Sequence, residues 1–256
     1  MMSSTTLKPL LDRNWQNIRL IASDMDGTLT RSEKFTPQLL ETLTKLNKAG
    51  INVLITTGRS AGWVQAIATY LPIVGAIAEN GGLLYWRGSV VPQFIDEIEI
   101  DRHRQQLSRV FELLQSKFPL LQESPDNPFR LTDWTFEVEG LSLDELNHIE
   151  AICQSEGYGF TYSTIQCHIK PLQQDKAIAL SKVIPQYFPD LKPEAIVAIG
   201  DSPNDESLFN PERCWDSVGV ANILKYRDRL NHLPAYISNQ PELAGFCELA
   251  ELILNS

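Results

Sequence analysis

Short apolar runs alternate with stretches of helical periodicity at both ends of this chain. Ile18–Ser23, Ile51–Thr56, Ile73–Ala78 and Ala195–Gly200 are almost continuously apolar and bounded by polar turns, the pattern of strands buried on both faces. Between the first two, Pro37–Ala49 places Leu39, Leu40, Leu43 and Leu46 at helical spacing, with Gly50 as its stop. A helix through Tyr70 is expected after Ser60, another from near Lys176 through Val183, and short strands at Val218–Val220 and Ala235–Ile237. Strands alternating with helices predict a parallel sheet covered on both faces.

The middle of the chain breaks this rhythm. Leu83–Trp86 and Val90–Phe94 flank Arg87-Gly88-Ser89, which predicts a hairpin. Asp101–Phe118 and Asp144–Glu156 have the spacing of amphipathic helices, while Phe129–Val138, Gly159–Ser163 and Gln166–Lys170 read as strands. Hairpins mixed with helices point to an α+β insertion. Its expected limits are residues 84–172, with hinges near Gly82 and Pro171, leaving 1–83 and 173–256 as the core. The polar segment through Asn17 reads as a flexible or surface-docked lead-in, neither a signal peptide nor a membrane span.

Composition narrows the function. A length of 256 residues with 43% apolar and 21% charged positions suits one large or two modest globular domains. The formal charge of −10 argues against a nucleic-acid or anionic-membrane surface, and requires local cations for any anionic ligand. Cys153, Cys167, Cys214 and Cys247 form no CxxC pair, so reduced thiols and a cytoplasmic location are expected.

The polar clusters fall where the strands should end. Asp24-Met25-Asp26-Gly27-Thr28 follows the first strand, Thr57-Gly58-Arg59 the second, Asn80-Gly81-Gly82 the third, and Asp201-Ser202-Pro203-Asn204-Asp205 the run that ends at Gly200. In an open parallel sheet these carboxyl ends form one ligand-binding edge. Two carboxylates at the end of a buried strand need protons, hydrogen bonds or a hard divalent cation to offset their charge, which points towards phosphate chemistry. An EF-hand also begins Asp-x-Asp, but its glycine would fall at Leu29 and its closing glutamate at Phe35. No GxGxxG follows any strand, which disfavours a dinucleotide-binding dehydrogenase. Singly, each cluster also reads as an ordinary turn or helix cap, and Lys176 as a solvated surface lysine.

Together, Asp24-Met25-Asp26-Gly27-Thr28, Thr57 in Ile55-Thr56-Thr57-Gly58-Arg59, Lys176 in Gln174–Leu180 and Gly200-Asp201-Ser202-Pro203-Asn204-Asp205 resemble the four motifs of the haloacid dehalogenase superfamily, in the correct order. The insertion lies where the sugar-phosphatase-like branch carries an α/β cap, and the resemblance spans about residues 18–225. It implies a Rossmann-like parallel-sheet α/β core with an inserted α+β cap, and a Mg²⁺-dependent phosphatase of a small phosphorylated metabolite such as a sugar phosphate. Asp24 would be the nucleophile and Asp26 the acid and base. Thr57, Gly58 and Lys176 would bind the phosphoryl group. Asp24, the backbone carbonyl of Asp26 and Asp201 would hold the metal, with Asp205 or Asn204 beside them. Arg59 and Asn80 would contact substrate or brace loops, and Arg130, His168 and Lys170 are the cap residues that would touch substrate. A phosphomutase shares these motifs. A non-catalytic sugar-phosphate sensor would have lost the nucleophile, the acid/base or the lysine, all of which are present. No nucleic-acid or membrane partner is implied, and the assembly state is left open.

Overall fold

In the computed structural model, residues 7–213 and 215–255 are described; Cys214 lies outside them, as do residues 1–6 and Ser256. The strands are β1 (Lys8–Pro9), which was not expected, and β2 (Leu20–Ser23), β3 (Asn52–Thr56), β4 (Gly75–Ala78), β5 (Leu83–Trp86), β6 (Gln93–Phe94), β7 (Trp134–Glu137, shorter than the run Phe129–Val138), β8 (Tyr158–Tyr162), β9 (Gln166–Pro171), β10 (Ile196–Gly200), β11 (Asp216–Gly219) and β12 (Tyr236–Ile237), which fall in or close to the expected apolar runs. The helices are α1 (Pro37–Lys48), α2 (Ala61–Tyr70), α3 (Ile100–Lys117), α4 (Leu143–Ser155), α5 (Lys176–Tyr187), α6 (Glu206–Phe209) and α7 (Glu242–Leu254). The strands build two sheets. One has nine strands in the order β1-β12-β11-β10-β2-β3-β4-β5-β6, and the other has three in the order β7-β9-β8.

Side-chain alternation explains why the large sheet is covered on both faces. Ile21 of β2, Val53 and Ile55 of β3, and Val197 and Ile199 of β10 pack with α1, α2 and α7 on one face. Leu20, Ala22, Leu54, Ile196 and Ala198, their immediate neighbours in sequence, pack with α5 and α6 on the other. Truncating a fully buried side chain such as Leu54 to alanine would cost about 2–5 kcal/mol. A third core lies between the small antiparallel sheet and α3 and α4, centred on Phe136, Ile149 and Ile169. Helix α4 begins at a capping box in which Ser142 and Glu145 each take the other's backbone N–H. The architecture is α/β, a Rossmann-like core carrying a small antiparallel cap.

Two expectations are corrected. The hairpin β5–β6 does not open the insertion: β5 pairs antiparallel with β4, from Gly75↔Trp86 to Ala78↔Leu83, and extends the large sheet. An inserted unit beginning at residue 84 would therefore cut through β5, because β4 supplies the edge that this hairpin completes. The lead-in is also more than a surface tail. β1 pairs with β12 in parallel, while Leu10 and Trp15 are buried and the Trp15 indole donates to the Leu10 carbonyl at 2.8 Å. Among the described residues no helix is long and apolar enough to cross a membrane.

Candidate active site

Parallel pairing of β2 with β3 and with β10, and of β3 with β4, brings the carboxyl ends of these four strands together. Asp24 is the residue after β2, and its N–H continues the ladder to the Ile199 carbonyl at 2.9 Å. Asp24 is 3% exposed, its side chain lies among Lys176, Asp201 and Asp205, and ligand atoms of the three carboxylates all lie within 4.8 Å of one another. The Lys176 ammonium donates to Asp24 Oδ1 at 2.5 Å and to Asp205 Oδ1 at 2.7 Å. Lys176 is fully buried at the first turn of α5, which Asp175 caps by accepting from the Ile178 N–H. Asp205 Oδ2 accepts from the N–H groups of Asp201 and Ser202, so the turn after β10 is closed by its own carboxylate. Asp201 Oδ2 takes a 2.7 Å hydrogen bond from Asn222.

Charge is unbalanced here, with three buried carboxylates facing one buried ammonium. Burial and the charge of Asp205 push the Asp24 carboxyl up to about 7, although Lys176 pulls it back. Asp201 is raised well above its ordinary range by burial and the charges of Asp24 and Asp205. Burial works against the charge of Lys176, but Asp205 and Asp24 outweigh it and hold its pKa above the usual lysine value. Asp24 Oδ2, buried, has no hydrogen-bond partner among the described residues. An orphaned carboxylate oxygen, an all-oxygen donor set and an excess of two negative charges fit a hard divalent cation. Gly27, at φ +83°, makes the close packing possible, since a Cβ there would lie 2.4 Å from Asp201 Oδ2.

Asp26 points elsewhere. Its carboxylate accepts from Arg59 Nη2 at 2.7 Å and Nε at 2.9 Å, and the Arg59 guanidinium lies 4.7 Å from the Trp63 ring centroid. Asp26 therefore brings no carboxylate oxygen to the acidic cluster. Thr57 Oγ1 accepts from the Arg59 N–H at 3.1 Å, which leaves the hydroxyl proton free to donate. Asn80, at φ +53°, donates its N–H to the Thr57 carbonyl, and its Oδ1 accepts from Asn204 Nδ2 at 3.0 Å.

The cap meets this edge at Gly58. Arg130 Nη1 donates to the Gly58 carbonyl at 3.0 Å, and a Cβ on Gly58 would lie 3.0–3.1 Å from His168 and from Asn80 Nδ2. Of the three cap residues singled out as substrate contacts, only His168 faces the cleft that holds Asp24, Asp26, Thr57 and Arg59. Arg130 is a correction. It is fully buried and its donors go to Asp126, Asp133, Gln166 and Gly58, because a buried guanidinium must spend its hydrogen bonds on nearby acceptors. Lys170 is a second correction. It donates to the Gln174 carbonyl and lines a neighbouring cleft of about 310 Å³, which shares Asn204 with the one beside Asp24 and also contains Asn80. The cleft beside Asp24 has only about 20 Å³ of free space, room for about one water. A roomier hollow of about 460 Å³, bordered by Leu120 and Gly140, contains none of the acidic cluster.

Several site residues had no local signature. Glu79 is fully buried at φ +53° and accepts from the N–H groups of Ala61, Leu131 and Thr132 and from the Thr132 hydroxyl, fastening the cap strand region to the core. Burial, aided by the charge of Asp133, pushes it up to about 7. Asp133, Gln166 and Asn222 likewise find partners only through the fold. For Asp133, burial is overcome by Arg130 and His168, and its carboxyl is held below the usual range.

Residues 21–118 match the haloacid dehalogenase-like hydrolase family. The phosphoglycolate phosphatase of Methanopyrus kandleri is 31% identical over 195 residues, covering 74% of this chain and 79% of that one. That of Thermoplasma acidophilum is 26% identical over 194 residues, covering 75% and 81%. Among solved structures, Thermoplasma acidophilum 0175 superposes with a TM-score of 0.72 at 23% identity, covering 92% and 99% of the two chains. The sucrose-phosphatase of Synechocystis sp. PCC6803, solved with sucrose and phosphate, superposes with a TM-score of 0.67 at 17% identity, covering 93% and 98%. The chain belongs to the haloacid dehalogenase-like hydrolases. Within that class it is a phosphatase of small phosphoesters.

Proposed function

We propose that this chain is a Mg²⁺-dependent phosphatase that hydrolyses a small phosphorylated metabolite, a sugar phosphate or related phosphoester, through an aspartyl-phosphate on Asp24. The observation that carries this reading is the pair of Asp24 oxygens, one held by Lys176 and the other buried without a partner among the described residues. Mg²⁺ held by Asp24, Asp201 and Asp205 would supply positive charge where a carboxylate and a phosphate dianion must approach.

The protein groups divide the remaining work. Asp24 attacks phosphorus, so one difficult displacement becomes two easier ones. Asp26 gives a proton to the leaving alcohol and takes one from the water that cleaves the acyl-phosphate, a role its place in the cleft permits once a carboxylate oxygen leaves Arg59. The Thr57 hydroxyl donates to a phosphoryl oxygen, and Lys176 balances charge spread over the equatorial oxygens. The unit containing β7, β8 and β9 acts as a cap over this chemistry. With space for about one water beside Asp24, the cap must lift from Gly58 to admit substrate, and its return excludes bulk water. Cys153, Cys167 and Cys247 are free and buried, which supports a reducing, cytoplasmic setting.

Phosphate release over a panel of sugar phosphates, phosphoglycolate and nucleotides, with and without Mg²⁺, tests the reading. Release of inorganic phosphate without a bisphosphate activator is expected and separates hydrolysis from mutase chemistry. Failure to release phosphate from any panel member, or wild-type turnover by Asp24→Asn, would overturn it.

A further inference from the structure

Among the described residues, each cation in or beside the cleft that holds Asp24 already has at least one acceptor of its own. Arg59 has its fork on Asp26, Arg130 is saturated by Asp126, Asp133, Gln166 and the Gly58 carbonyl, and Lys176 is shared by Asp24 and Asp205. Lys170 is turned to the Gln174 carbonyl. The cap instead offers His168. Its Nδ1 lies 2.8 Å from Asp133 Oδ2, and Asp133 also accepts from Arg130 at 2.9 and 3.0 Å. A carboxylate already accepting from a guanidinium remains an acceptor, so Nδ1 carries the proton and Nε2 keeps its lone pair. Burial, which lowers the His168 pKa, favours the same neutral ring. On the core side, Asn80 is 1% exposed and its Nδ2 has no partner among the described residues, its Oδ1 being held by Asn204. His168 Nε2 and Asn80 Nδ2 both lie 3.1 Å from the point a Cβ on Gly58 would occupy.

We propose that His168 Nε2, as acceptor, and Asn80 Nδ2, as donor, recognise a hydroxyl of the leaving group across Gly58, and so select hydroxyl-bearing phosphoesters over phosphorylated carboxylic acids. A hydroxyl both donates and accepts and satisfies the pair. A carboxylate satisfies only the donor and sets its charge against the His168 lone pair and the nearby Asp24 and Asp26. This specificity rests on the phosphatase reading and extends it. It also sets the chain apart from relatives whose names specify phosphoglycolate.

Two matched pairs test it with the full chain and Mg²⁺: 2-hydroxyethyl phosphate against phosphoglycolate, and glycerol 3-phosphate against 3-phosphoglycerate. In whichever pair is turned over faster, kcat/KM is expected to favour the hydroxyl compound by about tenfold or more, roughly one net hydrogen bond. Equal or greater kcat/KM for the acid in that pair overturns the proposal and leaves the phosphatase reading standing. Absence of phosphate release from all four and from p-nitrophenyl phosphate overturns both. His168→Asn keeps a donor for Asp133 and deletes Nε2, so the ratio of 2-hydroxyethyl phosphate to ethyl phosphate is expected to fall towards one. Asn80→Asp keeps the acceptor for Asn204, deletes the donor and should shrink the same ratio; it decides the question if His168→Asn does not fold. An unchanged ratio in the folded variants overturns the assignment.

Discussion

Arg130 reaches from the cap to the core and donates to the carbonyl of Gly58 at 3.0 Å, on the loop that also presents Thr57. The cap is seated on a backbone atom, and the absence of a side chain at Gly58 lets His168 and Asn80 close around that point.

Gly58→Ala should hold the cap off its seat. The added methyl would lie 3.0–3.1 Å from His168 and Asn80 Nδ2, closer than comfortable packing allows. We expect kcat/KM to fall by about tenfold or more, since a small misplacement of closing groups is costly to rate. Steady-state kinetics alongside a thermal melt check this; unaltered kinetics would mean that the contact at Gly58 is not part of the working closed state.

The acidic cluster should bind metal independently of turnover. Titrating Mg²⁺ in a thermal melt should raise the transition, by about 2.7 kcal/mol of stability at a hundredfold excess over Kd. Asp201→Asn should abolish most of that increment as well as activity. Asp24→Asn removes one of three crowded carboxylates, so it should abolish turnover while matching or exceeding wild-type stability in EDTA. A melt insensitive to Mg²⁺ would contradict the metal assignment.

Glu79 predicts a pH dependence of stability that leaves the catalytic groups untouched. Its folded pKa of about 7 exceeds the ordinary value of 4.5, so the folded chain holds the proton more tightly. The resulting stabilisation is complete below about pH 4.5 and is lost as pH rises through 7, an amplitude of about 3 kcal/mol. With saturating Mg²⁺ holding the acidic cluster, denaturant titrations between pH 5 and 8 should show this decline, and Glu79→Gln should flatten it. The same slope in the variant would assign the effect to another group.

Arg59→Lys keeps the charge beside Asp26 but loses the two-pronged contact at 2.7 and 2.9 Å and the stacking on Trp63. We expect kcat to drop by about ten- to a hundredfold through poorer placement of Asp26. Stability should change by no more than about 1 kcal/mol for so partly exposed a pair. If kcat is retained, Arg59 only braces the loop.

Asp24, Thr57 and Asp201 stood out because each follows a strand that hydrophobic patterning marks, and parallel strands place such ends on one edge; Lys176, at the start of a helix, stood out only through the resemblance of Gln174–Leu180 to a family motif. Glu79 and Asp133 did not. The Glu79 carboxylate meets Thr132, which is 53 positions away, and Asp133 meets His168 at a separation of 35. No local periodicity encodes such partners.

The hairpin at Leu83–Phe94 shows the same division. Alternating apolar residues around Gly88 determined that it would form, but pairing with β4 decided which sheet it joined. By itself the sequence determined the alternating elements, the chemistry-bearing residues and their order along the chain. Only the tertiary structure decided that Asp26 would face Arg59, that Arg130 would be consumed in holding the cap, and that His168 would present a lone pair to the cleft. Those outcomes depend on which buried charges and donors compete for each acceptor, and that competition exists only when distant segments share a water-excluded space.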